Sequence, residues 1–391
     1  MKRQIVGWFV CGLFLVGLGL VASEDCTETI TIASWNIQGL GKGTSGARLD
    51  ALADKLVAFD IIALQEIQTD SGLDALIQVL NAHTRTGTDV AWSYVSSSGC
   101  VANGGELYAF VYRSDLMERL PGPEGVYPES SPEDFSRPPF FATFRAGAFD
   151  FTLITVHIKW GQSASQRIAE CHRLASVWDY VQGLPPSEKD VILLGDFNCS
   201  APTHEAFEPL LFTGIVPILT DPGTLTALDG WYDNIWIDGQ SSRARPTGVL
   251  GVGTGDINCS VGTCISSSMA PSNHCPVFAE FLAFDRSDAD SADSYGSVIE
   301  FESIDFDTGV IRLRNLTDET VPLFGWRLYD EEGWYIFPVG SAILPFGRLI
   351  LTREQQCTDS GRQGFYLRAS GESVYLYPPG PPESVIEWIP D

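Results

Sequence analysis

The feature that most restricts the fold is a series of short apolar runs of β type, some separated by amphipathic helical segments and others joined directly. "TITIASWN" and "DIIALQE" are each followed by a helical pattern, "ARLDALADKLVAF" and "SGLDALIQVLNAH", and "VILLGD" is preceded by one, "SASQRIAECHRLASVWDYV". By contrast "LYAFVYR", "FFATFR" and "FDFTLITVHI" succeed one another without a helical pattern, and "YDNIWID" and "CPVFAEFLAF" close the series. Parallel neighbours need a long crossover, whereas direct succession suits antiparallel pairing, so the runs predict mixed sheets and exclude a purely parallel one. Helices on the outer faces of two such sheets make a four-layer α/β sandwich.

The pattern stops at "AFDRSDADSADSYGS", where apolar residues give way to Asp and Ser, and residues 285–296 read as an acidic linker. Beyond it, residues 297–391 offer only short β segments such as "VIRLRNLT", "WYIFPV" and "SVYLYP", cut by Gly, Pro and Asp, which predict a small antiparallel sandwich. At the other end, two cations, an apolar run and a small-residue exit make residues 1–23 a secretory signal peptide with cleavage near Ser23. Retained, Ile5 to Val21 would instead be a membrane anchor, for which the run is short. Residues 24–284 are left as the larger domain.

The chain carries 24 Lys and Arg against 50 Asp and Glu, a formal charge of −26, and removal of Lys2 and Arg3 makes it two units more negative. Such a balance excludes holding nucleic acid by bulk electrostatics, so a polyanionic substrate requires local cations or metal ions. Once Cys11 is removed, Cys26, Cys100, Cys171, Cys199, Cys259, Cys264, Cys275 and Cys357 remain, an even number that suits disulfides in an exported protein. Only Cys259 and Cys264 lie close enough in sequence to be paired directly, and no cysteine spacing suits a metal. Cys199 reads as a disulfide partner or a small apolar residue.

Polar residues recur at the ends of the β-type runs. Asn36 follows "TIASW", Glu66 follows "IIALQ", His157 follows "LITV", Asp196 and Asn198 follow "VILLG", Asp233 precedes "NIWI", and Asn273 and His274 precede the last run. Singly, each has an ordinary explanation as a turn former, a solvated strand end or a hydrogen-bonded core histidine. Together they form a chemical kit: a carboxylate beside amide oxygens suits a hard cation such as Mg²⁺, and two of the five histidines with further carboxylates supply proton transfer. Phosphodiester hydrolysis needs that combination, because metal, Asn and imidazolium groups stabilise charge in the transition state while a carboxylate orients water. Gly195, just before Asp196, reads as the pivot of a tight turn.

The segments "TIASWNIQGL", "IIALQEIQ", "ITVHIKWG", "LLGDFNCS", "YDNIWI" and "SNHCPV" resemble, in order, the motifs of the endonuclease/exonuclease/phosphatase superfamily, particularly its secreted deoxyribonucleases. "NGGELYAFVYR" resembles that branch's catalytic Glu and Tyr segment, and "DFSRPPFFATF" its phosphate-contacting Arg segment. The resemblance implies Glu66 as the principal metal ligand, with Asn36 and Asn273 beside it. It implies His157 held by Glu106 and His274 held by Asp233 as acid and base, in either order. Asp196 would orient water, Asn198 and Tyr108 would hydrogen-bond the scissile phosphate, and Arg137 would add a charge-assisted contact. Lys159 and Trp160 offer a phosphate contact and a stacking surface for a base, although Trp160 equally suits a loop anchor.

One departure stands out: family members carry Ser-Asp-His where this chain has Ser272-Asn273-His274, so weaker metal binding or a shifted metal preference is expected. Asn198, Asn258 and Asn315 occupy N-x-[ST] sequons, and a catalytic Asn198 would be a poor glycan carrier. The C-terminal piece resembles the lamin-tail domain, an immunoglobulin-like sandwich, through "VIRLRNLTDETVPLFGWRLYDEEG" and "ILPFGRLILTR", which implies targeting to a cell-surface or envelope contact, or a stabilising appendage. The whole implies a secreted nuclease acting on DNA with Mg²⁺, Mn²⁺ or Ca²⁺ and no stable protein partner. A lipid or inositol phosphate hydrolase, an RNA-cleaving enzyme and a catalytically weakened adhesion protein are the alternatives.

Overall fold

The computed structural model describes residues 29–283 and 298–388, apart from 84–89, 98–104, 132–133, 162, 186–189, 200–204, 220–231, 241–271, 273, 331–333, 338–340, 353–372 and 379–384. The leader, the linker, Asn258, Asn273 and Cys26, Cys100, Cys259, Cys264 and Cys357 lie outside the described residues. The first region runs β1 (Thr29–Leu40), α1 (Gly46–Leu56), β2 (Ile61–Ile67), α2 (Asp70–His83), β3 (Trp92–Ser96), β4 (Leu107–Arg113), β5 (Glu118–Arg119), β6 (Gly125–Val126), β7 (Phe140–Ala146) and β8 (Phe149–His157). It continues through α3 (Ala164–His172), α4 (Leu174–Gln182), β9 (Val191–Asp196), α5 (Glu208–Thr213), β10 (Ile215–Pro217), β11 (Asp233–Asp238) and β12 (Val277–Leu282).

Two mixed sheets result. One has the order β12-β1-β2-β4-β3 and the other the path β10-β11-β9-β8-β7-β5, with β6 beside β7. The parallel pairs are β1 with β2 and β8 with β9, each bridged by helix (α1; α3 and α4), while β3 with β4 and β7 with β8, joined without a helix among the described residues, are antiparallel. Period-two alternation then sorts the side chains. Ile30, Ile32, Ile61, Ala63, Phe151, Leu153, Ile192 and Leu194 pack between the sheets. Residues of opposite parity face outward: Ala33, Trp35, Ile62 and Leu64 meet α1 and α2, while Ile154, Val156, Val191 and Leu193 meet α3, α4 and α5. This is the helix, sheet, sheet, helix layering expected from the runs. The inter-sheet aromatics are its main mass, and truncating Phe151 to Ala would cost about 3–5 kcal/mol.

Two local expectations change. The single helix expected over 163–181 is split at Arg173, whose N–H bonds the Glu170 carbonyl at 3.1 Å and so tightens the turn between α3 and α4. Gly195 is no turn: β9 runs through Asp196, and the glycine is required because a Cβ there would lie 2.1 Å from the Val156 carbonyl oxygen of β8.

The C-terminal region contains β13 (Ile299–Asp305), β14 (Val310–Asn315), β15 (Val321–Pro322), β16 (Arg327–Tyr329), β17 (Trp334–Ile336), β18 (Ala342–Ile343), β19 (Arg348–Leu351), β20 (Val374–Tyr377) and β21 (Ile386–Trp388). All its described pairings are antiparallel, and no described residue there is helical. Its own core gathers Leu313, Trp326, Leu328 and Leu376. Trp334, Ile336 and Tyr377 belong instead to the cluster of α4 and α5, where Phe212 meets the Trp334 ring edge-on at 5.2 Å. Arg327, fully buried, donates to the carbonyls of Leu211, Gly325 and Pro378, and burial brings its pKa down to about 10. Asn315 is also buried, with Nδ2 donating to the carbonyls of Glu319, Ile343 and Leu344, so this sequon asparagine is consumed by the fold. Among the described residues no helix is long and apolar enough to cross a membrane.

Candidate active site

The site is the polar end of the inter-sheet layer. Following the inward parity to the strand ends leads from Ile30 and Ile32 to Asn36, from Phe151 and Leu153 to His157, and from Ile192 and Leu194 to Asp196. The antiparallel neighbours supply their opposite ends to the same place: Phe110 and Tyr108 lead back to Glu106, and Ile237 and Ile235 lead back to Asp233. Parallel strands thus contribute their C-terminal residues and antiparallel strands their N-terminal ones. Beneath them Gln65 Nε2 donates to Ser34 Oγ at 3.1 Å and to Thr155 Oγ1 at 3.0 Å, a buried polar bridge between the sheets.

Asp196 is the centre. In register it faces His157 on the parallel side and Asp233 on the antiparallel side. Its Oδ2 lies 3.5 Å from His157 Nε2, 3.7 Å from His274 Nε2 and 3.0 Å from Asn36 Nδ2, while Oδ1 accepts from the Asn198 N–H. Asn36 Nδ2 also donates to Glu66 Oε1 at 2.9 Å, so one amide joins both carboxylates. On their far sides the imidazoles are tied down: His157 Nδ1 to Glu106 Oε2 and His274 Nδ1 to Asp233 Oδ2, each at 2.8 Å. Ser272 Oγ accepts from the His274 N–H and donates to the Asn36 carbonyl, while the Trp35 indole donates to the His274 carbonyl.

The charges are unevenly set. Burial opposes charge on His274, but Asp233 first, then Asp196 and Glu66, push it up to about 9. Burial, reinforced by Asp196, raises Asp233 to about 6 against the pull of His274. Burial also works to raise Glu106, yet His157 and Arg137 outweigh it and hold that carboxyl below its ordinary value.

Strained backbone surrounds these groups. Glu66 has φ 61°, Gln38 φ 50° and Asn198 φ 48°, left-handed values that cost non-glycine residues of order 1–3 kcal/mol each. Strand parity alone would turn Glu66 away from Gln65 and the inter-sheet face. The pairing of β2 is irregular between Leu64 and Ile67, and there Glu66 meets Asn36. Arg48 of α1 donates to the carbonyls of Ile37, Gln38 and Gly39, bracing the bend that follows Asn36.

A divalent cation fits this donor set. Asp196, Asp233 and His274 each place a ligand atom within 4.8 Å of the others, and Asp233 Oδ1 is buried without a hydrogen-bond partner. Protonated His274 is a donor, which leaves the oxygens of Asp196, Asp233, Glu66 and Asn36 to hold a hard cation. Glu66 and Asn36 of the set expected from sequence meet this group, Asn36 bonding both Glu66 and Asp196, while Asn273 lies outside the described residues.

Three residues expected on the phosphate make hydrogen bonds within the protein. The Tyr108 hydroxyl is buried, accepts the His157 N–H at 3.0 Å and lies 3.4 Å from the Arg137 carbonyl, so it positions the histidine strand. Arg137 forks onto Glu106, with Nε to Oε2 at 2.7 Å and Nη2 to Oε1 at 3.0 Å. Asn198 Nδ2 is likewise committed to the Ile158 carbonyl at 2.7 Å. Lys159 is half-buried; Trp160, 54% exposed, stands edge-on to Tyr232 at 5.7 Å on the rim. Sequence reading missed Glu170 of α3, a buried carboxylate that accepts from Ser136 N and Oγ and from Lys159 N at 2.8–2.9 Å, tying the Arg137 and His157 segments together. Its signal was an acid on an otherwise apolar helix face, beside Cys171 and Leu174.

A family model described as Endonuclease/Exonuclease/phosphatase family matches residues 33–274. A deoxyribonuclease of Thioalkalivibrio sp. (strain K90mix) is 30% identical over 252 residues, covering 62% of this chain and 66% of the relative. A human endonuclease/exonuclease/phosphatase family domain-containing protein 1 is 25% identical over 286 residues, covering 66% of this chain and 50% of its own length. The chain thus spans just under two thirds of the first relative and half of the second. A solved endonuclease/exonuclease/phosphatase family protein from Bacteroides thetaiotaomicron matches 66% of this chain and 98% of its own, at 19% identity and a TM-score of 0.47.

Proposed function

The chain belongs to the Endonuclease/Exonuclease/phosphatase family and is a hydrolase of that superfamily, and on this premise we propose that it is an exported, divalent-metal-dependent nuclease that hydrolyses DNA phosphodiester bonds. The observation that carries the reading is the convergence of two carboxylate-held imidazoles on one carboxylate, His157 and His274 on Asp196. The similarity to a deoxyribonuclease supports DNA as the substrate, and the leader-like residues 1–23 support export.

The chemistry that a divalent cation supplies when bound is Lewis-acid stabilisation of charge on the phosphoryl oxygens. The chain's own groups do the rest. Asp196 accepts a hydrogen bond from the attacking water and aligns it. His274, kept protonated by its three carboxylates, donates its Nε2 proton to the departing oxygen. His157, fixed by Glu106, presents Nε2 from the other side of Asp196, and Arg137 keeps Glu106 ionised. Trp160 and Lys159 border the path of the strand, one as a stacking surface and one as a cation. The C-terminal region is read as a lamin-tail-like docking module, a reading supported by its all-β pairing and by the exposed Leu344 and Phe346.

Plasmid nicking by the full chain with Mg²⁺, Mn²⁺ or Ca²⁺, beside EDTA, sphingomyelin and inositol phosphate controls, tests this. We expect DNA cleavage that EDTA abolishes and that His157→Ala and Asp196→Ala lack. Turnover of a lipid or a phosphate monoester without DNA cleavage would replace the nuclease by another hydrolase of the superfamily.

A further inference from the structure

The helix α3 and the loop after β9 meet through two sulfur atoms. Cys171 is fully buried, Cys199 is 6% exposed, and their Sγ atoms lie 3.5 Å apart. The Cys171 thiol also faces the Phe197 carbonyl at 3.8 Å. Phe197, Ala206, Phe207 and Leu174 belong to the same apolar cluster, so the thiols meet in a packed layer. Thiols are weak hydrogen-bond partners, and two of them pressed together there gain little as they stand.

We propose that Cys171 and Cys199 are oxidised to a disulfide that staples the catalytic loop to α3. Thiol–disulfide exchange with a small-molecule disulfide or the disulfide of a thiol oxidoreductase makes the bond. Cys199, having lost its proton to water, attacks one sulfur of that disulfide, breaks it and expels a thiolate. Cys171, deprotonated in turn, attacks Cys199 Sγ and expels the second thiolate. Two protons and two electrons leave the protein, and the oxidant's disulfide becomes two thiols. The hydrogen bond from Cys171 and the neighbouring Arg167 both lower the Cys199 thiol, which suits it to the first attack.

The staple would act where the site is most strained. Cys199 directly follows Asn198, the left-handed residue whose N–H bonds Asp196, and Cys171 directly follows Glu170, which anchors the Arg137 and His157 segments. One covalent bond would therefore bind three catalytic segments to a single helix.

The test is peptide mapping of the full chain made in an exporting host, denatured without reductant, alkylated with iodoacetamide, digested and read by mass spectrometry. The expected result is one linked pair containing Cys171 and Cys199, lighter by two hydrogens than the separate thiol peptides. Finding both residues alkylated, or either joined to another cysteine, would overturn the proposal. Thermal unfolding with and without dithiothreitol adds a second reading. Reduction should lower Tm by roughly 5–10 °C in the native sequence, and by clearly less in the Cys171→Ser/Cys199→Ser double variant; equal losses in both would count against the staple. Neither readout requires nuclease activity, so their outcome is separable from that of the functional reading.

Discussion

The two carboxylate–histidine pairs have the same hydrogen-bond length, 2.8 Å, and opposite settings. The Glu106 side chain remains 32% exposed and is clamped by the Arg137 guanidinium, so an existing cation balances it whatever His157 does. Asp233 is buried, stands next to Asp196 in register, and has only His274 as an ion-pair partner among the described residues. Its charge has to be matched by the imidazole itself. Equal pair geometry therefore does not divide acid from base; a third charge beside each carboxylate does, and it marks His274 as the residue held protonated.

The most damaging way to break this contrast is to remove what both pairs share. Asp196→Asn should lower kcat by about 10³–10⁴-fold in the nicking assay. It should leave Tm unchanged or higher, because a buried charge pressed against Asp233 is gone. His157→Ala and His274→Ala should each cost about 10²–10⁴-fold, and the double variant should lose little beyond the worse single one, since both act on one transition state. Multiplicative losses would mean that the pairs work independently.

The contrast sharpens in pH profiles. With His274 at about 9 in the metal-free protein, its imidazole should titrate near that pH by NMR in EDTA, and Asp233→Asn should move the titration down toward the ordinary histidine value of about 6.5. Glu106→Gln should leave the His274 titration in place. Because the folded pKa of His274 is raised, its stabilisation is complete below the unfolded value and is lost as pH rises through about 9. Tm should therefore decline between those limits, and less so in Asp233→Asn. The smallest effect should come from Glu170→Gln, about tenfold in kcat/KM, since the amide keeps one acceptor oxygen for the three donors. Glu170→Ala should cost more and lower Tm as well, and equal rates for the two would reduce Glu170 to packing.

Much of the site was legible because a strand is a ruler with period two. Once Ile192 and Leu194 are inward, Asp196 is inward, and the same step carries Leu153 to His157 and Ile235 to Asp233. Glu66 breaks the rule, since its inward turn depends on a left-handed φ that no propensity of glutamate announces. The partners of Tyr108 and Arg137 were not legible for a related reason: a motif tells which residue is present but not that the His157 backbone or the Glu106 carboxylate is its neighbour.

The chain's own order of apolar and polar residues determined the layered architecture, the end of the layer at which chemistry gathers and the side chains delivered there, because alternation and connection length are local properties. Only the tertiary structure decided which groups meet across the two sheets. Asn36 reaches Asp196, Arg48 braces the bend at Gln38, Glu170 ties two loops, and Cys171 touches Cys199. Those contacts depend on how two separately formed sheets and their helices come to rest against each other, a packing outcome set by the summed burial of many side chains and by no short stretch of sequence.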